Sequence, residues 1–496
     1  MRIKLIVSSL TQLYISVIGI ILMPVYLRYL GAEGLGLVGF YIMMQAWMPI
    51  FDFGLTPVLS REISRFQAGV LSARDAATRL RTLEVVLGAL AVLAVALLWF
   101  SSDWIGHNWL SAVMLSGETL AHCVVLIGAA VALRWVAGLQ RTVLIGLERQ
   151  GWVNGLTAGF ATLRFAGVLP LLLYVSTSPE LFFAFQVVVG GLELTAFAVI
   201  AHHLLPGGEG VRPDRGVLAS MLPMVGSMAF LTAMWVVMTQ IDKLILSGLL
   251  SLEEYGYFTL AVMAASGVLV LVGPLNQVIQ PRLTILAEKG EEDALIELYR
   301  LISQLVVVGF VALGGGLAFF AEPILLIWSG SQSVAKAAGP VLFWYGLANA
   351  VVGILVLPFM LQFARGRLRL HLVGNLILLL TLVPALAMAA KHQGATGAGQ
   401  VFFAANLLFL LFWVPLMHRY FLPVLTWRRS LLDTLPVALV MVMALVAGSK
   451  ALPGGMGAPE TLGCIGGVVL VAVTIGVAFG GLSRSFALTL FFGVKT

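Results

Sequence analysis

Charged residues are scarce in this chain of 496 residues, of which 10% are charged and 60% are hydrophobic. A water-soluble globular protein carries charge at about a quarter of its positions. The mean hydropathy of +1.02 points the same way. The scarcity of charge therefore excludes a soluble protein, and it predicts that most of the chain lies in a lipid bilayer.

Cysteine and long polar segments are also scarce. The two cysteines, Cys123 and Cys464, fall in apolar runs, where we expect them to pack and to form neither a disulfide nor a metal site. The longest segment between apolar runs has about 22 residues, and no P-loop signature is present. We therefore expect no soluble catalytic domain, no catalytic residues, no metal and no cofactor.

Apolar runs of about 20 residues, long enough to cross a hydrocarbon core of about 30 Å as helices, recur along the whole chain. The runs are continuous and do not alternate in polarity, which excludes a transmembrane β-barrel. We predict an all-α polytopic membrane protein with about fourteen transmembrane helices. The predicted spans are 5–28, 36–60, 83–102, 118–140, 153–174, 181–201, 217–240, 255–277, 300–321, 338–362, 372–390, 398–418, 433–451 and 461–482.

Lysine and arginine are distributed unevenly between the two sides of these spans. With a cytoplasmic amino terminus, 22 of the 29 basic residues lie in inside loops, five lie in outside loops and two lie within spans. The positive-inside rule describes this bias, so we predict that both termini are cytoplasmic. The net charge of +6 is then a topology signal. Because the basic residues form no continuous patch, we expect no nucleic acid as a partner.

Similar short sequences recur at an offset of 220 residues. Residues 181–186 (LFFAFQ) match residues 401–406 (VFFAAN) without a gap. The short turn at 33–36 (EGLG) has its counterpart at 253–256 (EEYG). Agreement at one offset indicates an internal repeat, a common feature of transporters.

The repeat predicts the domain organisation. Spans 1 to 6 and spans 7 to 12 both begin on the cytoplasmic side, so the two copies are parallel. We predict a six-helix N-lobe in residues 1–210 and a six-helix C-lobe in residues 211–430. Residues 431–496 lie outside the repeat and are predicted to hold helices 13 and 14 and a cytoplasmic tail.

Several short motifs carry a family resemblance. The first half contains YLGAEGLG at 29–36, FDFGL at 51–55 and SREI at 60–63, and the second half contains IDKLILS at 241–247 and EYGY at 254–257. These motifs resemble those of the oligosaccharide flippases (Wzx-type, polysaccharide transport family). That family belongs to the multidrug/oligosaccharidyl-lipid/polysaccharide exporter (MOP) superfamily.

The resemblance covers essentially the whole chain and implies a transporter, not an enzyme. It implies two lobes around a V-shaped cavity, alternating access, and a location in the bacterial cytoplasmic (inner) membrane. The implied cargo is a polyprenyl-pyrophosphate-linked glycan, such as a repeat unit of O-antigen or exopolysaccharide. Polysaccharide polymerase, chain-length machinery and membrane lipids are the implied partners, and a proton or sodium gradient is a candidate for coupling.

Four ionisable residues fall within the spans. Arg164 and Glu193 lie near the middle of spans 5 and 6, and Asp52 and Arg134 lie in the inner thirds of spans 2 and 4. A charge at this depth costs about 2.5–3.5 kcal/mol, so each should face a cavity or a partner. The positions 220 residues later are uncharged, namely Val272, Ile354, Pro384 and Trp413. We therefore expect a polar N-lobe wall and an apolar C-lobe wall, as suits an amphiphilic cargo.

Arg164 and Arg134 are the predicted substrate-binding residues, because a guanidinium offers a planar fork to phosphate oxygens. The helical rise places Arg164 and Glu193 at similar depth on neighbouring helices, so we expect a salt bridge between them. Either this pair is purely structural, or Glu193 holds the arginine only while the site is empty. Arg134 can alternatively extend to the cytoplasmic face.

The remaining candidates for coupling or gating are less specific. Asp52 can relay protons or, as we favour, cap a helix. Asp242 and Lys243 adjoin at the outer end of span 7, where they form either a lock between lobes or an interfacial pair of little energetic weight. Pro24 and Pro223 lie in the first helix of each half, where they act as hinges or as static kinks.

Two other functions stay open beside the flippase. A cation-coupled multidrug (MATE-like) antiporter usually needs acidic residues deep in its lobes, and Arg164 argues against it. A polyprenyl-dependent membrane glycosyltransferase or polymerase needs a sizeable outer loop or paired acidic residues near an interface. The outer loops here are short and carry isolated acidic residues.

Overall fold

The chain is almost entirely helical. A computed structural model describes residues 2–205, 211–422, 427–453 and 456–479, and these residues contain no β-strand. Eleven of the helical segments in the described ranges are long and apolar enough to cross a membrane. The structure therefore confirms an all-α polytopic membrane protein.

The helices follow one another with short connections. In the first half they are α1 (Arg2–Phe51), α2 (Leu55–Gln67), α3 (Ala73–Trp104), α4 (Gly117–Gly146), α5 (Gln150–Phe165), α6 (Leu169–Tyr174), α7 (Pro179–Leu204) and α8 (Arg215–Leu249). In the second half they are α9 (Leu252–Ser266), α10 (Val272–Lys289), α11 (Glu292–Phe319), α12 (Ala321–Ser329), α13 (Gln332–Ala364), α14 (Arg369–Leu408), α15 (Val414–Phe421), α16 (Trp427–Lys450) and α17 (Ala458–Phe479). Single π-helical or 3₁₀ turns occupy Ile105–Trp109, Gly267–Leu271 and Phe409–Trp413.

The predicted spans fall on these helices, but two boundaries differ. The segments Val7–Phe51 and Arg369–Phe421 each cover two predicted spans. They are broken at Gly31 (φ 77°) and Gly394 (φ 60°), whose backbone conformation favours glycine. The predicted span 36–60 is interrupted after Phe51, so its last part belongs to α2. The number of about fourteen crossings stays a prediction.

The contacts divide the chain into two compact units, Met1–Thr259 and Leu260–Thr496, here called the N-unit and the C-unit. In the N-unit α4 packs against α3 and α7, and α5 packs against α1 and α7. In the C-unit α11 packs against α13, α16 and α17, so the helix pair after the predicted repeat joins this unit. The predicted lobe boundaries at 210/211 and 430/431 stay predictions.

Residues 220 positions apart meet inside the N-unit, where α1 approaches the start of α9. A side chain on Gly36 would overlap the carbonyl oxygen of Leu252, and a side chain on Gly256 would overlap that of Ala32. The two contacts exchange partners under a shift of 220 residues. Such close backbone approach requires glycine. The offset found in the sequence is therefore also present in this packing.

Candidate functional site

The buried charges of the N-unit centre on Glu193 of α7. Arg164 donates a hydrogen bond from Nη2 to Glu193 Oε2 at 3.2 Å, and Nε of Arg134 lies 3.6 Å from the same oxygen. Arg164 and Glu193 are buried, whereas the side chain of Arg134 is 24% exposed. The salt bridge expected between spans 5 and 6 is confirmed, and Arg134 joins it.

A helix break fixes the position of Arg164. Pro170, the second residue of α6, has no N–H to donate, and α5 ends at Phe165. The carbonyl oxygens at the end of a helix lack intrahelical partners. Here the oxygen of Arg164 accepts from Gln186 Nε2 at 3.2 Å, and that of Phe165 accepts from the Tyr26 hydroxyl at 2.7 Å. Side chains from α7 and α1 therefore hold this helix end.

Arg134 is held from another side. Its Nη1 donates to Oε1 of Gln45 on α1. Arg141, seven residues further along α4, lies on the same helical face and interacts electrostatically with Arg134 and Glu193. We call Arg134, Arg141, Arg164 and Glu193 the arginine cluster. Three guanidinium groups face one carboxylate, so the cluster carries net positive charge.

The cluster has donors to spare. Within the described part of the chain, Nε of Arg134 and Nε of Arg164 are buried without a hydrogen-bond partner. An unpaired buried donor costs about 1–3 kcal/mol. Positive charge with free, fixed donors is the arrangement that accepts an anion, and phosphate oxygens fit it best.

Sequence reasoning missed the polar residues that complete this arrangement. Gln45, Gln186 and Arg141 were not among the predicted site residues, although all three contact or influence the arginines. The two glutamines are amides within predicted spans, where an unpaired amide is unfavourable. Their depth was a usable signal.

Asp52 lies away from the cluster and caps α2. Its Oδ2 accepts from the backbone N–H of Thr56 at 3.0 Å, and its Oδ1 accepts from the Thr56 hydroxyl at 2.8 Å. The residues between Asp52 and α2 have positive φ, 48° at Phe53 and 78° at Gly54, which produces the tight turn that ends α1. These are the contacts expected from the capping interpretation.

The other coupling or gating candidates also lie elsewhere. Lys243 Nζ is 3.2 Å from Asp242 Oδ1 and 2.9 Å from the carbonyl oxygen of Thr239, all within α8. Pro24 lies inside α1. Pro223 lies in the range of α8, but its side chain falls outside the described residues. Their roles in gating stay predictions.

The C-unit contains an apolar groove with a volume of about 270 Å³. It lies between α11, α13, α15 and α16, and its lining includes Val306, Val311, Ile354, Leu357, Leu411 and Val442. Among its few polar groups, the Tyr299 hydroxyl and Nε2 of His418 are hydrogen-bonded to each other at 2.9 Å. Ile354 is the residue 220 positions after Arg134.

Comparison with protein families gives one match. The family model described as "Polysaccharide biosynthesis protein" matches residues 3–286. No curated protein sequence matches the chain.

Solved structures share the fold at low sequence identity. The lipid II flippase MurJ, in an inward closed conformation, aligns with a TM-score of 0.65 and 12% identity over 97% of this chain and 99% of that chain. An inward-facing multidrug resistance MATE transporter of the MOP superfamily gives 0.66 and 12% over 82% and 97%. A MATE transporter of Vibrio cholerae gives 0.58 and 13% over 85% and 97%. The fold is that of transporters, in agreement with the prediction of a transporter and not an enzyme.

Proposed function

From its membership of the polysaccharide biosynthesis protein family, which the match over residues 3–286 shows, we propose that this chain is a flippase for a polyprenyl-pyrophosphate-linked oligosaccharide. The cargo is a repeat unit of O-antigen, exopolysaccharide or a related glycan. The observation that carries the proposal is the buried arginine cluster, whose net positive charge and free donors suit a pyrophosphate. The fold shared with a lipid II flippase supports a lipid-linked cargo.

The cluster explains how the head group can bind and leave. Glu193 occupies Arg164 and Arg134 while the site is empty, and the pyrophosphate replaces it as their partner. A buried ion pair adds little stability, because desolvation offsets most of its Coulomb energy. Exchanging one anion for another at these arginines therefore requires little free energy. A proton on the released Glu193 is a candidate for coupling to a proton gradient.

The apolar groove of the C-unit suits the polyprenyl chain. Its lining offers aliphatic surface with few polar groups. Each CH₂ removed from water contributes about 0.8 kcal/mol, so several isoprenyl units would contribute strongly even against a lipid alternative of similar polarity. We assign the charged head to the N-unit and part of the chain to the C-unit.

The remaining parts of the proposal concern place and partners. We place the protein in the bacterial inner membrane with both termini in the cytoplasm. Its lobes are residues 1–210 and 211–430, and it supplies a polysaccharide polymerase and its chain-length machinery. The bias of 22 inside against five outside basic residues supports this orientation.

Deletion of the gene tests the proposal. The expected result is accumulation of lipid-linked repeat units on the inner leaflet and little surface polymer, both restored by the wild-type gene. Failure to assemble lipid-linked repeats would favour the membrane enzyme instead. Normal surface polymer together with increased sensitivity to cationic drugs would favour the antiporter.

A further inference from the structure

Tyr41 of α1 has a buried hydroxyl group for which the described part of the chain provides no hydrogen-bond partner. The side chain is 5% exposed, and its ring packs edge-on against Phe183 of α7 with a centroid distance of 5.8 Å. The hydroxyl is close enough to the Arg164 guanidinium to interact with it electrostatically. An unpaired donor therefore lies beside the arginine cluster.

The helix that carries Tyr41 already contributes to the cluster. Gln45 follows one turn later and accepts a hydrogen bond from Arg134. Residues four apart share a helical face, so α1 presents Tyr41 and Gln45 to the same side. The neighbouring Tyr26 differs, because its hydroxyl donates to the carbonyl oxygen of Phe165 and is satisfied in the protein itself.

The unpaired hydroxyl is unfavourable in the empty protein. A phenylalanine at position 41 would keep the contact with Phe183 without burying a polar group, so it would fold at least as well. Groups that lower the stability of the unliganded protein are expected at binding sites. The free Nε of Arg164 has the same property, so two donors at one place lack an acceptor.

We infer that Tyr41 is a further substrate-contacting residue, whose hydroxyl donates a hydrogen bond to an oxygen of the diphosphate beside Arg164. The inference rests on the proposed function and assigns a role that charge alone does not reveal. Tyr41 is a neutral donor, so it adds a directional contact without adding to the cluster's charge.

Binding of farnesyl diphosphate to the purified full-length protein tests this role. The wild type is compared with Tyr41→Phe and with Tyr299→Phe, a matched control that removes a buried hydroxyl from the C-unit. For Tyr41→Phe we expect a dissociation constant about tenfold higher, as for loss of one hydrogen bond to a charged group. Its melting temperature without ligand should equal or exceed that of the wild type.

The control should behave in the opposite way. Tyr299→Phe leaves His418 without its partner, so its melting temperature should fall while its affinity stays within twofold of the wild type. Wild-type affinity in Tyr41→Phe, or a lowered melting temperature, would overturn the inference and make the hydroxyl structural. If Arg164→Lys weakens binding and Tyr41→Phe does not, the inference fails and the proposed function stands. If the wild type binds no farnesyl diphosphate, the proposed function fails with it.

Discussion

The N-unit and the C-unit use the same kind of helical packing for opposite chemistry. The N-unit buries three arginines around Glu193, whereas the C-unit opens an apolar groove between its helices. Position 134 is an arginine that contacts Glu193, and position 354, its counterpart in the repeat, is an isoleucine in the groove wall. A duplicated helical framework has therefore been filled with different side chains.

This difference matches the two parts of an amphiphile. A charged head group needs fixed donors and positive charge, and these need several helices to hold them in place. A hydrocarbon chain needs only apolar surface of suitable shape. The N-unit accordingly supports its arginines with Gln45 and Gln186, while the groove carries few polar groups.

The largest expected effect comes from breaking the polar side of this comparison. Arg164→Ala removes the central guanidinium and leaves Glu193 with Arg134 alone, so we expect export to fall more than about hundredfold, the loss of a charge-assisted fork. Arg164→Lys keeps the charge but loses the fork, and about tenfold loss is expected. Surface glycan, normalised to protein abundance in the membrane, is the measurement. Equal export by the lysine variant and the wild type would contradict a role for the fork.

The double change Arg164→Leu with Glu193→Leu separates binding from structure. Replacing a buried ion pair by apolar residues is neutral or stabilises by about 1–4 kcal/mol, so the variant should fold and insert. We expect normal abundance and no export. Near-normal surface glycan would show that the pair is structural and would remove the distinction between the units.

Much of this distinction was predictable from the sequence. Apolar runs of about 20 residues determine where helices lie, because the bilayer leaves few alternatives for the backbone. Arg164 and Glu193 lie on consecutive spans joined by a short turn, so the helical rise alone brought them to one depth. Both the fold class and this salt bridge followed from such local rules.

Contacts between helices distant in sequence were not predictable in this way. Nothing in the hydropathy pattern indicates that Gln45 of α1 meets Arg134 of α4, since that depends on how non-consecutive helices pack. The end of α1 at Phe51 was missed because the apolar run continues beyond it. The positive φ angles of Phe53 and Gly54 that break the helix leave no trace in hydropathy.

An intermediate effect is expected from filling the groove. Ile354→Trp should occupy part of its 270 Å³, so export should fall about tenfold, as expected for losing the burial of about two CH₂ groups. Binding of farnesyl diphosphate should stay unchanged, whereas a long-chain polyprenyl diphosphate should bind more weakly. Leu380→Trp is the matched control, because Leu380 is exposed on α14 and does not line the groove. Equal loss of both ligands would place the head group, not the chain, near the groove.

The smallest effect is expected at Asp52, a buried carboxylate of the N-unit that lies outside the arginine cluster. Asp52→Ala removes the two hydrogen bonds to Thr56, and loss of such a cap costs about 1 kcal/mol. Asp52→Asn keeps an acceptor for the hydroxyl and should cost less. We expect both variants to melt at slightly lower temperature and to export within about twofold of the wild type at matched abundance, since twofold corresponds to about 0.4 kcal/mol. If export were lost at normal abundance in both variants, Asp52 would have to relay protons, and the working charges of the N-unit would extend beyond the cluster. A normal result would restrict them to Arg134, Arg141, Arg164 and Glu193, because burial of a charge alone does not make it part of transport.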